Sequence, residues 1–259
     1  MFSIPYPIIN PVALKLGPIS IYWYGIAYIT GIISGYFLAK FIVKKIKFNT
    51  NLSDFASTII IGILIGGRLG YVIIYDPIYY LTNPLKIIAI WEGGMSFHGG
   101  GIGACIGAFI HSKNHKLAIN KAFDILAICA TPGLFFGRIA NFINAELYGR
   151  TTNVSWGIIF PNSGLIPRHP SQLYEALSEG LILFIILFLC YKYAYKEGRL
   201  FGIFLIIYSL SRFCIEFTRE PDAHIGLLFM GLSMGQYLCI IMCLLGGVWF
   251  YANNKKLLS

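Results

Sequence analysis

Long apolar runs separated by short polar segments extend along almost the whole chain. An α-helix needs about 17 to 25 mainly apolar residues to cross the hydrocarbon core of a bilayer. On this criterion the pattern predicts seven spans, at residues 19–43, 54–75, 95–110, 122–142, 173–191, 200–217 and 228–251. The third run is the shortest and is rich in glycine. Its Gly99, Gly103 and Gly107, like Gly62, Gly66 and Gly70 of the second run, repeat every four residues, a spacing that predicts a close contact between helix backbones in lipid. The pattern therefore predicts an all-α, polytopic bundle of about seven transmembrane helices.

The composition supports a membrane protein and argues against a water-soluble one. The chain is 57% hydrophobic and 12% charged, and its mean hydropathy is +0.70. A soluble domain of this length needs about twice that charged fraction to cover its surface. The net charge of +9 would suit nucleic acid. However, most basic residues lie in short clusters between apolar runs, where contact with the membrane surface explains them, so we expect no nucleic acid partner.

Cysteine usage argues against a metal or redox site. All six cysteines lie in apolar stretches and form neither a CxxC pair nor a zinc-type spacing with histidine. We therefore expect no metal and no cofactor. No repeat or linker divides the chain, so we predict a single domain, residues 1–259.

The basic residues also predict the orientation in the membrane. One side of the predicted spans has 12 Lys and Arg residues and the other has 5, while Arg68, Arg138 and Arg212 lie in spans or at their ends. The richer side comprises Lys40, Lys44, Lys45, Lys47, Lys113, Lys116, Lys121, Lys192, Lys196, Arg199, Lys255 and Lys256. Because basic loops stay in the cytoplasm, the N-terminus is predicted outside and the C-terminus inside. The longest loop, residues 143–170, is predicted to form a small lobe on the outer side and includes Asn162.

Several ionisable residues lie within or at the ends of the predicted spans, where a charged side chain is energetically unfavourable. A charge near the bilayer centre costs at least a few kcal/mol, which makes each one a candidate for function. Those in or at the outer ends of spans are Arg68, His98, Arg138, Glu146, Glu175, Arg212 and Glu216. Arg212 and Glu216 are spaced i, i+4 and share a helix face. They form either a structural ion pair or an arginine that its partner orients toward an anionic ligand.

The segment 137–150 is the densest polar motif, with two arginines, two asparagines and a glutamate at the end of the fourth span. Arg138 and Asn141 are spaced i, i+3, so they can bind one phosphate together. His98 lies between the glycine pairs 93–94 and 99–100. It is either a satisfied polar side chain or a group that transfers protons.

These motifs resemble the prolipoprotein diacylglyceryl transferase family over nearly the whole chain. The resemblance lies in residues 23–25, 66–68, 93–100, 137–149, 167–175, 212–216 and 233–236. It implies an enzyme of the bacterial inner membrane whose active site faces the periplasm, so that the N-terminus and the lobe are periplasmic. It also implies the reaction, in which a diacylglyceryl group moves from phosphatidylglycerol to the lipobox cysteine of a preprolipoprotein signal peptide. The products are a thioether and glycerol 1-phosphate.

The resemblance also implies the site residues. The positions that match the family's functional residues are Tyr24, His98, Arg138, Asn141, Glu146, Gly149 and Arg212, with Glu216 in support. Our hypothesis assigns the lipid phosphate to Arg138 and Arg212 and deprotonation of the thiol to His98. Asn141 and Glu146 would bind the head-group hydroxyls and orient the arginines.

Two other classes of protein stay open at this point. Buried Arg and Glu residues also mark the ion pathways of transporters and channels, although the chain lacks internal symmetry and its charges gather toward one face. A different lipid-modifying transferase would differ only in its donor and acceptor. The loop at residues 160–167 is short for the family, which affects the expected substrate selectivity only.

Overall fold

The computed structural model describes residues 4–161, 163–220 and 228–255. The chain forms two compact units, one of Met1–Leu38 with Ala127–Ser259 and one of Ala39–Leu126. Asn162 of the predicted lobe and Lys256 of the predicted cytoplasmic cluster lie outside the described residues. The single-domain organisation stays a prediction.

The described residues are mostly helical, as the apolar pattern predicted. The long helices are α1 (Trp23–Ile46), α2 (Leu52–Tyr75), α4 (Phe97–Asn114), α5 (Ile119–Ile143), α8 (Arg199–Glu216) and α9 (Met234–Lys255). A further long helix, Ser171–Ala194, consists of α6 (Ser171–Glu175), a π-helical segment (Ala176–Ile182) and α7 (Leu183–Ala194). Shorter elements are α3 (Pro77–Thr82), the 3₁₀ turns Pro84–Ile88, Ile90–Glu92 and Phe229–Gly231, and the strands β1 (Ile4–Pro5), β2 (Val12–Leu16), β3 (Ile19–Tyr22) and β4 (Ile158–Ile159).

Within the described ranges, five helices are long and apolar enough to cross a membrane: α1, α2, α5, Ser171–Ala194 and α9. The chain is therefore a membrane protein. The other two predicted spans correspond to α4 and α8, which are helices of 18 residues each. Of these, α4 is rich in glycine and α8 includes three charged residues. A total of seven spans and the orientation of the termini remain predictions.

Two predicted span boundaries were wrong. Residues 19–22 form strand β3, which pairs with β2 in an antiparallel hairpin, so the first helix begins at Trp23. The last helix begins at Met234, because residues 229–231 form a 3₁₀ turn in which Met230 has a φ of 58°. Hydropathy does not distinguish an apolar strand or turn from the first turns of a helix.

In the unit of residues 39–126, glycines set the contact between α2 and α4. A Cβ atom placed on Gly62 or Gly66 would collide with the backbone oxygen of Gly103 or Gly99, respectively. Small residues allow this close approach of helix backbones in lipid. The four-residue glycine spacing in the sequence is thereby explained.

The other unit contains the lobe. Strand β4 pairs in parallel with β1, and Tyr6, Ala145, Ile158 and Phe160 form a small apolar core. Tyr6 donates from its hydroxyl to the backbone oxygens of Phe142 and Ile143, both at 2.8 Å. The N-terminal residues thus complete the lobe and fasten it to the end of α5.

Candidate functional site

A network of arginines and carboxylates lies where α5, the helix Ser171–Ala194 and α8 come together. Its centre is Glu175, the last residue of α6, whose side chain is 0% exposed. Its Oε2 lies 2.8 Å from Arg138 Nε on α5 and accepts from Arg212 Nη1 on α8, also at 2.8 Å. Its Oε1 accepts from Arg219 Nη1, just beyond α8, at 2.6 Å. One buried carboxylate therefore holds three guanidinium groups together.

Glu216 provides a second support. Its Oε2 lies 3.2 Å from Arg212 Nε and 3.4 Å from Arg219 Nε. Its Oε1 accepts a hydrogen bond of 3.1 Å from Ser233 Oγ, at the start of α9. A Cβ atom on Gly235 would approach Glu216 Oε1 to 2.9 Å, so a glycine leaves room for this carboxylate. The i, i+4 pair predicted from the sequence exists, and it belongs to a larger network.

Glu179 is the third carboxylate of the network. It lies in the π-helical segment, one turn after Glu175, and its side chain is 0% exposed. Its closest cationic atom is Arg212 Nη1, at 3.7 Å, and neither of its oxygens has a hydrogen-bond partner among the described residues. Single π-helical turns inside α-helices are frequent at functional sites. Here the irregular turn places a carboxyl group beside an arginine without a direct hydrogen bond.

Asn141 links this network to the segment after α5. Arg138 Nη1 donates to Asn141 Oδ1 at 3.4 Å, and Asn141 Nδ2 donates to Glu146 Oε1 at 2.8 Å. Gln172 Nε2, on α6, donates to the backbone oxygen of Glu146 at 2.6 Å. The structure therefore brings together Arg138, Asn141 and Glu146, which the sequence had predicted as one site.

Close packing positions the arginine on α5. A Cβ atom on Gly180, in the π-helical segment, would lie 2.7 Å from both Cα and Cβ of Phe135. Phe135 precedes Arg138 by three residues, so this contact fixes the spacing of the two helices one turn from the ion pair. An apolar cavity of about 150 Å³ lies between the same helices, lined by Pro132, Phe136 and Phe184 among others.

The exposure of the side chains shows which groups a ligand can reach. The side chains of Arg138, Arg212 and Arg219 are 14–16% exposed, whereas Glu175 is fully buried. The arginine side chains are therefore partly exposed, whereas the carboxylate that they share is fully buried. Guanidinium groups fixed in this way match the oxygens of a phosphate group. The described residues contain no group of three or more His, Cys, Asp or Glu that suits a metal ion.

Gly149 and Tyr24 belong to the same unit as this network. Gly149 donates its N–H to His169 O at 2.8 Å, and a Cβ atom here would collide with Thr218 O. It therefore joins the lobe to the segment containing Arg219, and its expected contact with substrate stays a prediction. Burial lowers the pKa of His169 below its ordinary value. Tyr24 lies on α1 with its hydroxyl 3.4 Å from that of Tyr28.

His98 and Arg68 belong to the other unit, so the predicted action of His98 on a thiol stays a prediction. His98 is the second residue of α4, whose first turn Ser96 caps by accepting from Gly99 N at 3.2 Å. Arg68 donates to the backbone oxygens of Lys86, Ile87, Gly93 and Gly94 at 2.5–3.1 Å. It therefore holds the segment before His98 through that segment's backbone oxygens.

Sequence reasoning missed two members of the network. Arg219 was one of the five basic residues counted on the outer side of the membrane, and Glu179 was hidden in an apolar run. Their spacing contained a signal, since Glu175 and Glu179 are i, i+4 and Glu216 and Arg219 are i, i+3. Charged residues at these intervals lie on the same helix faces as Glu175 and Glu216, so Glu179 and Arg219 could have been included in the predicted site.

The chain is similar to proteins of one family over nearly its whole length. The family model described as prolipoprotein diacylglyceryl transferase matches residues 11–252. A phosphatidylglycerol–prolipoprotein diacylglyceryl transferase of Rickettsia felis is 49% identical over 257 residues, covering 97% of this chain and 99% of that protein. Its namesake in Rickettsia bellii is 51% identical, covering 93% and 94%, and that in Rickettsia typhi is 50% identical, covering 96% and 99%.

Proposed function

Because this chain belongs to the prolipoprotein diacylglyceryl transferase family and is therefore a transferase, we propose the full reaction that it catalyses. The diacylglyceryl group of phosphatidylglycerol moves to the lipobox cysteine of a preprolipoprotein signal peptide. A carbon–sulfur bond forms while a carbon–oxygen bond to phosphate breaks. The products are a thioether and glycerol 1-phosphate, and the proton of the thiol is released to a base. No cofactor takes part.

The observation that supports this reaction is the guanidinium network around Glu175. The leaving group is a phosphate ester whose negative charge increases as the carbon–oxygen bond breaks. Cationic donors that are fixed before the reaction stabilise such charge without reorganising. Arg138 and Arg212 are held at 2.8 Å from one buried carboxylate, which fixes both of them. They bind the lipid phosphate and stabilise the departing glycerophosphate.

The remaining site residues act around this phosphate. His98 accepts the proton of the thiol, because a thiol with a pKa near 8.5 is mostly protonated at neutral pH. Asn141 and Glu146 bind the hydroxyls of the glycerol head group and orient Arg138. Glu216 orients Arg212, Tyr24 is a further catalytic residue, and Gly149 contacts the bound phosphatidylglycerol.

The location follows from the acceptor. The lipobox cysteine of an exported preprolipoprotein reaches the outer face of the inner membrane, so the active site opens toward the periplasm. This agrees with the distribution of basic residues, which predicts the lobe on the outer side. The partners are membrane lipids, phosphatidylglycerol as donor and the signal peptide as acceptor.

Purified protein supplied with phosphatidylglycerol and a lipobox peptide tests this proposal. We expect a thioether-linked product and one glycerol phosphate per transfer. A peptide with alanine in place of the cysteine, or phosphatidylcholine in place of the donor, should yield neither product. Transfer to the alanine peptide would overturn the proposal.

Removal of either arginine should impair the chemical step. We expect Arg138→Ala and Arg212→Ala each to lower kcat/KM by at least about 100-fold, the effect of losing a donor that stabilises a developing anion. Arg199→Ala is the matched control, since Arg199 lies at the start of α8, at the opposite end from Arg212. Full activity of either site variant would contradict the assignment to the lipid phosphate.

A further inference from the structure

The charges of the arginine network balance when it is empty. Arg138, Arg212 and Arg219 supply three positive charges, and Glu175, Glu179 and Glu216 supply three negative charges when ionised. A phosphodiester adds one negative charge to this group. In a site with little water, an uncompensated charge is strongly unfavourable, so a neutral network binds an anion poorly unless a proton enters with it.

The three carboxyl groups differ in how firmly their ionised form is held. Glu175 lies within 2.8 Å of three guanidinium groups. Glu216 lies within 3.4 Å of two and accepts a hydrogen bond from Ser233. Glu179 has one cation at 3.7 Å and no hydrogen bond among the described residues, although it is 0% exposed. Since hydrogen bonds to the ionised form favour it, Glu179 loses least on becoming neutral.

We propose that Glu179 takes up one proton from solvent when the phosphate of phosphatidylglycerol binds to the arginine network. This inference rests on the proposed function, since it takes that lipid as the ligand. The protonated Glu179 then leaves three cations facing two carboxylates and one phosphate. Glu179 does not touch the substrate in this scheme. It is a positioning residue that sets the charge available on Arg212.

The groups that face Glu179 come from every element packed around it. They are Arg138 on α5, Glu175 on its own helix, Tyr208, Arg212 and Glu216 on α8, Arg219 after α8, and Cys239 on α9. Arginine stays charged at all accessible pH values. Glu175 and Glu216 are fixed by their ion pairs, and the tyrosine and cysteine are neutral at neutral pH. Glu179 is therefore the group of this set that can change its charge when the anion arrives.

Linkage determines the sign of the effect on binding. If binding takes up a proton, the affinity for the lipid rises as pH falls, by about tenfold per pH unit while Glu179 is ionised in the free protein. Glu179→Gln has a permanently neutral amide of nearly the same shape. Its affinity should be independent of pH and, at alkaline pH, higher than that of the unchanged protein. If Glu179 had only a structural role, Glu179→Gln would instead bind the lipid more weakly at every pH.

Titration calorimetry of the full chain in phosphatidylcholine nanodiscs tests the proposal. Short-chain phosphatidylglycerol would be the probe, without peptide, so that no thiol contributes. Experiments in two buffers with different heats of ionisation yield the number of protons taken up. At alkaline pH, where Glu179 is ionised in the free protein, we expect about one per lipid for the unchanged protein and for Glu179→Asp, and none for Glu179→Gln. Glu197→Gln, an exposed carboxyl between α7 and α8, is the matched control and should behave as the unchanged protein.

Each outcome decides the question. No net uptake by the unchanged protein, or uptake that persists in Glu179→Gln, overturns the inference. If Glu179→Gln does not fold, the unchanged protein and Glu179→Asp still test the inference. Both must then take up a proton when the lipid binds, and an uptake of zero in either one overturns the inference. If the protein neither binds phosphatidylglycerol nor transfers its diacylglyceryl group, the proposed function fails. If it does both without taking up a proton, only this inference fails.

Discussion

Glu175 is the single residue on which the site depends most. It contacts three arginines that come from α5, α8 and the segment after α8. A buried ion pair contributes little compared with an apolar core, because desolvation offsets the attraction, but removing one partner leaves the other charges uncompensated. Its loss therefore affects folding as well as chemistry.

We expect Glu175→Ala to lower the free energy of unfolding by about 3–5 kcal/mol, the usual cost of breaking a buried pair. Denaturation of the purified protein in micelles, followed by circular dichroism, measures this change. Glu197→Ala removes an exposed carboxyl, whose interactions contribute at most about 1 kcal/mol, and should lower the free energy of unfolding by no more than that. Equal stability of the two variants would show that the arginines do not need Glu175.

The limits of sequence reasoning are clearest at single residues. Arg138, Asn141 and Glu146 were predicted as one site because they follow each other within one segment, and the structure brings them together. Arg219 was missed because its contact with Glu175 joins residues 44 apart, which depends on the packing of two helices. Arg68 was a candidate for ligand binding, yet backbone oxygens occupy its donors. A single sequence reveals that a charge is buried but not which groups satisfy it.

At the scale of elements, the glycine pattern was the most informative signal. The four-residue spacing of Gly99 and Gly103 on α4 predicted a face for close helix contact, and the structure has backbone against backbone there. By contrast, apolar residues 19–22 looked like the start of a helix and form a strand. Residues on one helix face recur every three or four positions, so a short stretch of sequence is enough to predict the face. Strand pairing depends on a partner elsewhere in the chain.

This contact predicts different effects for two neighbouring glycines of α4. A Cβ atom on Gly103 would collide with Gly62 O, whereas one on Gly101 meets nothing within 4 Å. Gly103→Ala should therefore lower the free energy of unfolding by about 1–3 kcal/mol, the usual cost of overpacking. Gly101→Ala should be neutral or slightly stabilising, because alanine favours helix. Thermal unfolding of both variants in the same detergent compares them, and equal losses would contradict the packing.

At the scale of the whole molecule, α4 and α8 decide the topology. If both cross the membrane, 12 basic residues lie inside and 5 outside. If neither crosses, five spans remain, the lobe moves to the cytoplasmic side, Arg212 joins a loop, and the counts become eight inside and ten outside. The positive-inside rule clearly favours seven spans over the second arrangement. Buried charges explain why α8 is less apolar than the five candidate membrane helices, since Arg212 and Glu216 form an ion pair within the network.

Cysteine labelling distinguishes these two topologies. In a chain whose six native cysteines are replaced, Leu165→Cys would mark the lobe and Asn114→Cys the end of α4, and both positions are exposed. With seven spans, a membrane-impermeant maleimide labels Leu165→Cys in spheroplasts and reaches Asn114→Cys only after permeabilisation. With five spans, the maleimide labels Asn114→Cys in spheroplasts and reaches Leu165→Cys only after permeabilisation. Lys15→Cys, before the first helix, should be labelled from outside in either case and serves as the control. Labelling of Asn114→Cys in intact spheroplasts would place the arginine network on the cytoplasmic side, where an exported lipobox cysteine does not arrive.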